Sequence, residues 1–191
     1  MAQYRDADDH GRPSPQAMAV LQGIAMVDGL PDEDNGDSTQ PLIDAGDRVV
    51  VIASRYNAEV CVPLMVAAVE SLRSAGLSDS QILVTRVPGA WELALQADHW
   101  LRQPNVAGAI TLGAVIKGET THDQYINASV SDALMQSGLK YDKPVGFGLL
   151  TCNTAEQALA RSGGDVGNKG HEAADAVIEM LRLSKRARRH A

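Results

Sequence analysis

Val49–Ala53 is an unbroken apolar run rich in β-branched residues, the pattern of a strand covered on both faces. Asn57 is a suitable N-cap for the amphipathic stretch beyond it, Gly76 is a suitable stop, and Pro63 inside it predicts a kink or a shifted start. A second strand is predicted over Ile82–Val87, closed by Pro88-Gly89, and a second helix over Ala90–Leu101. A third strand, Val106–Leu112, ends at Gly113, and a third helix, Thr121–Gln136, is stopped by Gly138. Pro144 introduces a fourth strand, Val145–Leu150. Thr154 and Gln157 have capping-box spacing for a short helix that ends near Gly163, and Glu172–Ser184 is a last helix. Upstream of Arg48 this periodicity is missing. Residues 1–45 read as a mobile extension rich in Asp, Gly, Pro and Ser, with one apolar patch, Ala17–Val27, suited to a transient helix or a docking segment.

Strands alternating with helices imply right-handed crossovers and a parallel, doubly wound sheet. Composition refines the picture. The apolar fraction of 45% supports a sizeable core, while aromatics at 4% leave aliphatic side chains to fill it. The net charge of -7 is uneven: residues 1–47 hold ten acids against Arg5 and Arg12, whereas the remaining 144 residues are close to neutral. A near-neutral folded part argues against nucleic acid as a partner. The cluster Arg182, Lys185, Arg186, Arg188 and Arg189 reads chiefly as a solvated helix end with a frayed basic tail over 185–191, and secondarily as an electrostatic contact for a partner. Cys61 and Cys152 are far apart and form no CxxC pair, so neither a disulfide framework nor a zinc site is indicated, and a reduced cytoplasmic setting is expected. The acidic N-terminus lacks the apolar core of a signal peptide. Val106–Ile116, the longest apolar stretch, is too short to span a membrane.

Open parallel sheets bind ligands beyond the carboxyl ends of their strands, and that is where the informative residues fall. Ser54-Arg55-Tyr56-Asn57 comes after the first strand and Pro88-Gly89-Ala90-Trp91-Glu92 after the second. Gly113-Ala114-Val115-Ile116-Lys117-Gly118-Glu119-Thr120-Thr121-His122 comes after the third, and Phe147 lies in the fourth. Aromatics beside glycine-rich turns suit a flat ring with an anion nearby. The third loop runs into a helix N-terminus whose free N–H groups attract phosphate, and Thr120 and Thr121 add hydroxyls. It lacks the Gly-Lys-Ser/Thr of a Walker loop. His122, one turn into that helix, is a candidate proton carrier. Each feature has an ordinary reading by itself: a capped turn, a surface histidine, a packing Tyr56, a core Phe147, solvated Arg161 and Lys169, and a Glu92 matched to a helix dipole.

Taken together, VPGAWELA, GAVIKGETTH, FGLLT and GNKGHEAA, in this order and spacing over residues 46–184, resemble the lumazine synthase family. SRYN is similar to that family's segment bearing a stacking aromatic. The resemblance implies a flavodoxin-like three-layer α/β sandwich with a four-stranded parallel sheet. It implies condensation of 5-amino-6-(ribitylamino)uracil with 3,4-dihydroxy-2-butanone 4-phosphate, chemistry in which each step moves a proton and no metal or redox cofactor is needed. By the same resemblance Tyr56 would stack on the uracil ring, while Asn57, Ala90, Trp91 and Glu92 would hold ring and ribityl chain. Val115 and Ile116 would read the pyrimidine through backbone groups. Gly118, Glu119 and Thr120 would form the phosphate pocket and His122 would shuttle protons. Phe147 and Arg161 would come from a neighbouring subunit, the first closing the ring site and the second clamping phosphate. Lys169 and Glu172 match supporting positions.

The resemblance further implies homo-pentamers, twelve of which form a capsid in some members, with riboflavin synthase as a cargo. The short segment Arg161–Lys169 is similar to capsid-forming members. Pro63, the Asp123-Gln124 pair after His122 and the long leader depart from the family's common pattern. Two rival readings are a catalytically weak compartment or flavin-binding relative, and a flavodoxin-like binding or response-regulator module. Ser54-Arg55-Tyr56 supplies no acidic cluster for the latter.

Overall fold

The computed structural model describes residues 41–190. The patch Ala17–Val27 and nearly all of the expected extension lie outside them. Ile43 is 4% exposed and already belongs to the core, so the packed chain begins upstream of β1.

Four strands form one all-parallel sheet: β1 (Arg48–Ser54), β2 (Ile82–Val87), β3 (Val106–Ile116) and β4 (Val145–Cys152), in the order β2-β1-β3-β4. Val49, Val51 and Ala53 of β1 point to one face and Val50 and Ile52 to the other, and all five are buried, as the unbroken apolar run predicts. The first face is covered by α1 (Ala58–Ser74), the short α4 (Ala155–Ala160) and α5 (Lys169–His190), through Leu64, Leu72, Ala158, Ala174, Val177 and Ile178. The second is covered by α2 (Trp91–Leu101) and α3 (His122–Tyr141), through Leu93, Ala97, Leu101, Val130 and Leu134. This is the three-layer α/β sandwich that the alternation implied.

Several boundaries differ from expectation. β3 does not stop at Gly113 but runs to Ile116, because β4 pairs alongside as far as Cys152. α3 passes through Gly138 to Tyr141 and ends where Asp142 adopts a left-handed conformation, φ 51°. A Cβ at Gly138 would lie 3.3 Å from Lys143 O and from Val145, so this glycine permits a close approach instead of ending the helix. α1 is continuous through Pro63. A small antiparallel hairpin, β5 (Ser162–Gly164) with β6 (Gly167–Asn168), stands where only a loop was expected. α5 starts at Lys169, where Asn168 Oδ1 accepts from Gly170 N at 2.8 Å, and it continues through the expected frayed tail to His190. Thr154 caps α4 by accepting from Gln157 N at 3.3 Å, while Gln157 Oε1 accepts from Asn153 N, one residue before the cap.

Candidate active site at the strand ends

The turns after β1 and β2 are zipped together. Arg55 N donates to Val87 O at 2.8 Å and Tyr56 N to Pro88 O at 3.1 Å, carrying the ladder two residues past the strands. This places the Tyr56 ring over Gly89, where a Cβ would fall 2.9 Å from Tyr56 Cδ2. The ring itself is 71% exposed, a flat apolar surface facing out. Glu92 Oε2 accepts from Gly89 N at 2.9 Å, which fixes the carboxylate beside the ring. Its other oxygen makes no hydrogen bond among the described residues.

Asn57 precedes α1 but does not cap it with its side chain. It sits in the left-handed region, φ 54°, and its Nδ2 donates to Ala114 O at 2.9 Å. That bond ties the Tyr56 turn to β3 and so to Val115 and Ile116. Beneath the turn, Cys61 Sγ–H donates to Tyr56 O at 3.2 Å and Ser54 Oγ–H to the same oxygen at 3.4 Å. Burial pushes the Cys61 thiol up to about 11, outweighing its backbone contact at Ala114 and the nearby Arg86 charge. Cys61 is thus a protonated donor supporting the turn. Its spacing from Asn57, one helical turn, was the available sequence signal.

Beyond β3, Lys117 N donates to Cys152 O at 2.8 Å and closes the strand pair. Residues 117–122 are then exposed, and a Cβ at Gly118 would meet nothing within 4 Å. Among the described residues the N–H groups of Gly118, Glu119 and Thr120 have no acceptor. Thr120 Oγ1 accepts from His122 N at 3.4 Å. His122 is the first residue of α3, not one turn in, so it stands at the mouth of the amide cluster. Open amides at a helix N-terminus form a cradle for an anion. Among the described residues, Asp123 Oδ1 is shielded from solvent without a hydrogen-bond partner, as is Asn127 Oδ1 one turn on.

The structure therefore gathers Tyr56, Asn57, Ala90, Trp91, Glu92, Val115 and Ile116 at the ends of β1, β2 and β3, with Gly118–His122 at the mouth of α3. It does not gather Phe147 with them, and it sets Arg161 beyond β4, where its charge acts on Cys152, the pairing partner of Ile116. Phe147 pairs with Thr111 in the middle of edge strand β4, five residues before Cys152 and so about 16 Å below the strand end. It is 47% exposed and lines an apolar groove of about 500 Å³ with Leu134, Met135 and Leu139 of α3 and Met180 of α5. Arg161 ends α4, exposed, with Nη1 on Gln157 O at 3.2 Å, and its backbone carbonyl accepts from Lys169 N at 2.9 Å. Lys169 Nζ donates to Glu172 Oε2, so these three residues form a separate group beyond β4.

Residues 46–185 match the model of the 6,7-dimethyl-8-ribityllumazine synthase family. Among similar proteins, a 6,7-dimethyl-8-ribityllumazine synthase of Rhodopirellula baltica is 56% identical over 152 residues, 80% of this chain and 97% of its own length. One of Thermus thermophilus is 42% identical over 75% of this chain and 92% of its own, and one of Gemmatimonas aurantiaca 44% over 74% and 87%.

Proposed function

The chain belongs to the 6,7-dimethyl-8-ribityllumazine synthase family, and from that premise we propose how its own residues carry out the reaction. The protein is a transferase of riboflavin biosynthesis. It condenses 5-amino-6-(D-ribitylamino)uracil with 3,4-dihydroxy-2-butanone 4-phosphate to give 6,7-dimethyl-8-ribityllumazine, phosphate and water. The observation that carries the residue-level reading is the pairing, at one end of the sheet, of an exposed ring fixed over Gly89 with an open amide cradle ending in His122.

In this reading the uracil ring stacks on Tyr56, and its polar edge is met by the backbone around Val115 and Ile116. The free oxygen of Glu92 accepts from ribityl hydroxyls, with Asn57, Ala90 and Trp91 shaping that wall. Gly118, Glu119 and Thr120 receive the phosphate on their N–H groups, where the positive end of α3 favours it. The 5-amino group attacks the ketone carbon and the carbinolamine loses water to give an imine. A proton leaves the adjacent carbon as phosphate departs, and the resulting enol tautomerises to a ketone. The ribitylamino nitrogen closes on that ketone with loss of a second water. His122 carries protons between these steps, worth about 10²-fold, while holding both substrates in register supplies more.

We further propose that Phe147, Arg161, Lys169 and Glu172 serve the site of an adjacent subunit in a homo-pentamer. The place of Phe147 in the middle of β4, about 16 Å below the strand ends, and the apolar groove around it support this. Twelve such pentamers would form a capsid able to house riboflavin synthase, in a cytoplasmic setting. The test is turnover of both substrates, followed by lumazine fluorescence. Product above the uncatalysed background, lowered about 100-fold by Arg161→Ala through loss of a charge-assisted phosphate contact, is expected. A folded protein without turnover would overturn the catalytic reading.

A further inference from the structure

Arg161 and Lys169 stand at the two ends of one short stretch of chain, and the β5–β6 hairpin lies between them. Their backbones meet. Lys169 N donates to Arg161 O at 2.9 Å, and just inside that bond Ser162 pairs with Asn168. Whatever fixes the base of the hairpin therefore fixes where both cationic side chains begin. Arginine and lysine side chains are long and rich in rotamers, so a clamp made from them needs a backbone held firmly elsewhere. Their own side-chain bonds do not provide that hold. Lys169 Nζ reaches Glu172 within α5, and Arg161 Nη1 reaches Gln157 O within α4.

Asn168 supplies the tie. Its Nδ2 donates to Pro63 O of α1 at 3.3 Å, while its Oδ1 accepts from Gly170 N at 2.8 Å and caps α5. One amide group thus joins the hairpin base, the first turn of α5 and the backbone of α1. A helical carbonyl keeps a second lone pair beyond its ladder bond, and Asn168 takes the one on Pro63. The approach is this close because Gly170 has no Cβ, which would collide with Leu64 O. Among the described residues no other side-chain hydrogen bond joins the hairpin to α1. The same helix supports the Tyr56 turn through Cys61. Serine or aspartate would cap α5 as well as asparagine does. Neither supplies the amide donor that reaches Pro63 O. We propose that Asn168 is a positioning residue for the phosphate clamp: by anchoring the hairpin base to α1 it sets where Arg161 and Lys169 project. This role rests on Arg161 being the phosphate contact, and it holds whether Arg161 serves its own chain or an adjacent one.

Asn168→Ser and Asn168→Asp separate the two bonds. Each keeps an acceptor for Gly170 N and loses the donor to Pro63 O, and Asn168→Ser adds no charge. In both, the KM for the phosphorylated substrate should rise about 10-fold while the KM for the pyrimidine stays within about 2-fold. The inhibition constant of inorganic phosphate should rise in parallel with the first. Arg161→Ala is measured beside them, with thermal melts of all three variants. An effect in Asn168→Asp alone would be one of charge and would overturn the proposal. So would a rise in both KM values together with a lowered melting temperature, the mark of a merely structural residue. Phosphate binding unchanged in both Asn168 variants but weakened by Arg161→Ala would overturn the positioning role and leave the clamp intact. Phosphate binding unchanged in Arg161→Ala would overturn the clamp, and the positioning role with it.

Discussion

Gly89 separates the site from the fold most cleanly. Its missing Cβ is the space in which the Tyr56 ring and the Glu92 carboxylate rest, at 2.9 and 3.3 Å from where that carbon would be. Gly89→Ala pushes aside an exposed ring, not the core, so the free energy of unfolding should change little, by under about 1 kcal/mol. The KM for the pyrimidine should rise about 10-fold, checked by steady-state kinetics beside a thermal melt. A large loss of stability would show that the turn, not the ring, depends on this glycine. The placement of Tyr56, Glu92 and His122 at the strand ends was legible because motif and spacing announce it. The Tyr56–Gly89 contact was not, because strand register sets it across a sequence separation of 33. Asn57 does hold the N-cap position of α1, but its side chain was not legible for the same reason: its amide goes to Ala114, on another strand. Cys61 supplies a pH signature of this buried support. Its thiol ionises near 9 in the unfolded chain and about 11 when folded. Between those values the folded state holds more protons, so stability falls as pH rises through that window and is unaffected below it. The loss approaches about 2–3 kcal/mol, at 1.4 per unit. Melting curves from pH 8 to 11 should show it, and Cys61→Ala should flatten it.

At the scale of elements, the strands were read well and the helix ends poorly. An unbroken apolar run is itself the cause of double-sided burial, so β1 carries its own evidence, whereas the edge strand β2 is only partly buried, with Val84 43% exposed. A glycine is ambiguous, because it serves both as a stop and as a place where backbones touch. Gly113 and Gly138 were taken as stops and are close approaches: a Cβ at Gly113 would lie 2.9 Å from Leu149 Cδ1. The most demanding cases join α5 to its neighbours. A Cβ at Gly146 would stand 2.3 Å from Ala173 O, and one at Gly170 would stand 2.0 Å from Leu64 O, both backbone atoms that no rotamer change can clear. Gly146→Ala or Gly170→Ala should therefore cost about 3 kcal/mol or more. Gly118→Ala, with nothing within 4 Å, should leave stability unchanged. Denaturant titrations of the three variants side by side test this ranking. Equal midpoints would mean that the α5 contacts yield more readily than backbone packing allows.

At the scale of the molecule, the question is whether one chain holds a complete site. Tyr56, Glu92 and His122 stand at the ends of β1, β2 and β3, while Phe147 lies within β4 and Arg161 at the end of α4. The sheet order places β4 at an edge, and the groove beside Phe147 is open. A flat ring stacked on Tyr56 would leave its second face uncovered by these residues of its own chain. Apolar surface of this kind marks a place where another chain is seated. Two variants make the point measurable. His122→Ala removes the proposed proton carrier, and Arg161→Ala removes the proposed phosphate clamp. Each alone should be impaired about 100-fold. If adjacent subunits share sites, unfolding and refolding the two together in equal amounts creates some interfaces that join an intact first half to an intact second half. Random mixing makes roughly one interface in four of this kind, so activity should return to roughly a quarter of the wild-type value. Each variant refolded alone should regain nothing. If the mixture also regains nothing while assembling normally, both residues act within one chain, and Arg161 must reach the α3 cradle from beside Cys152.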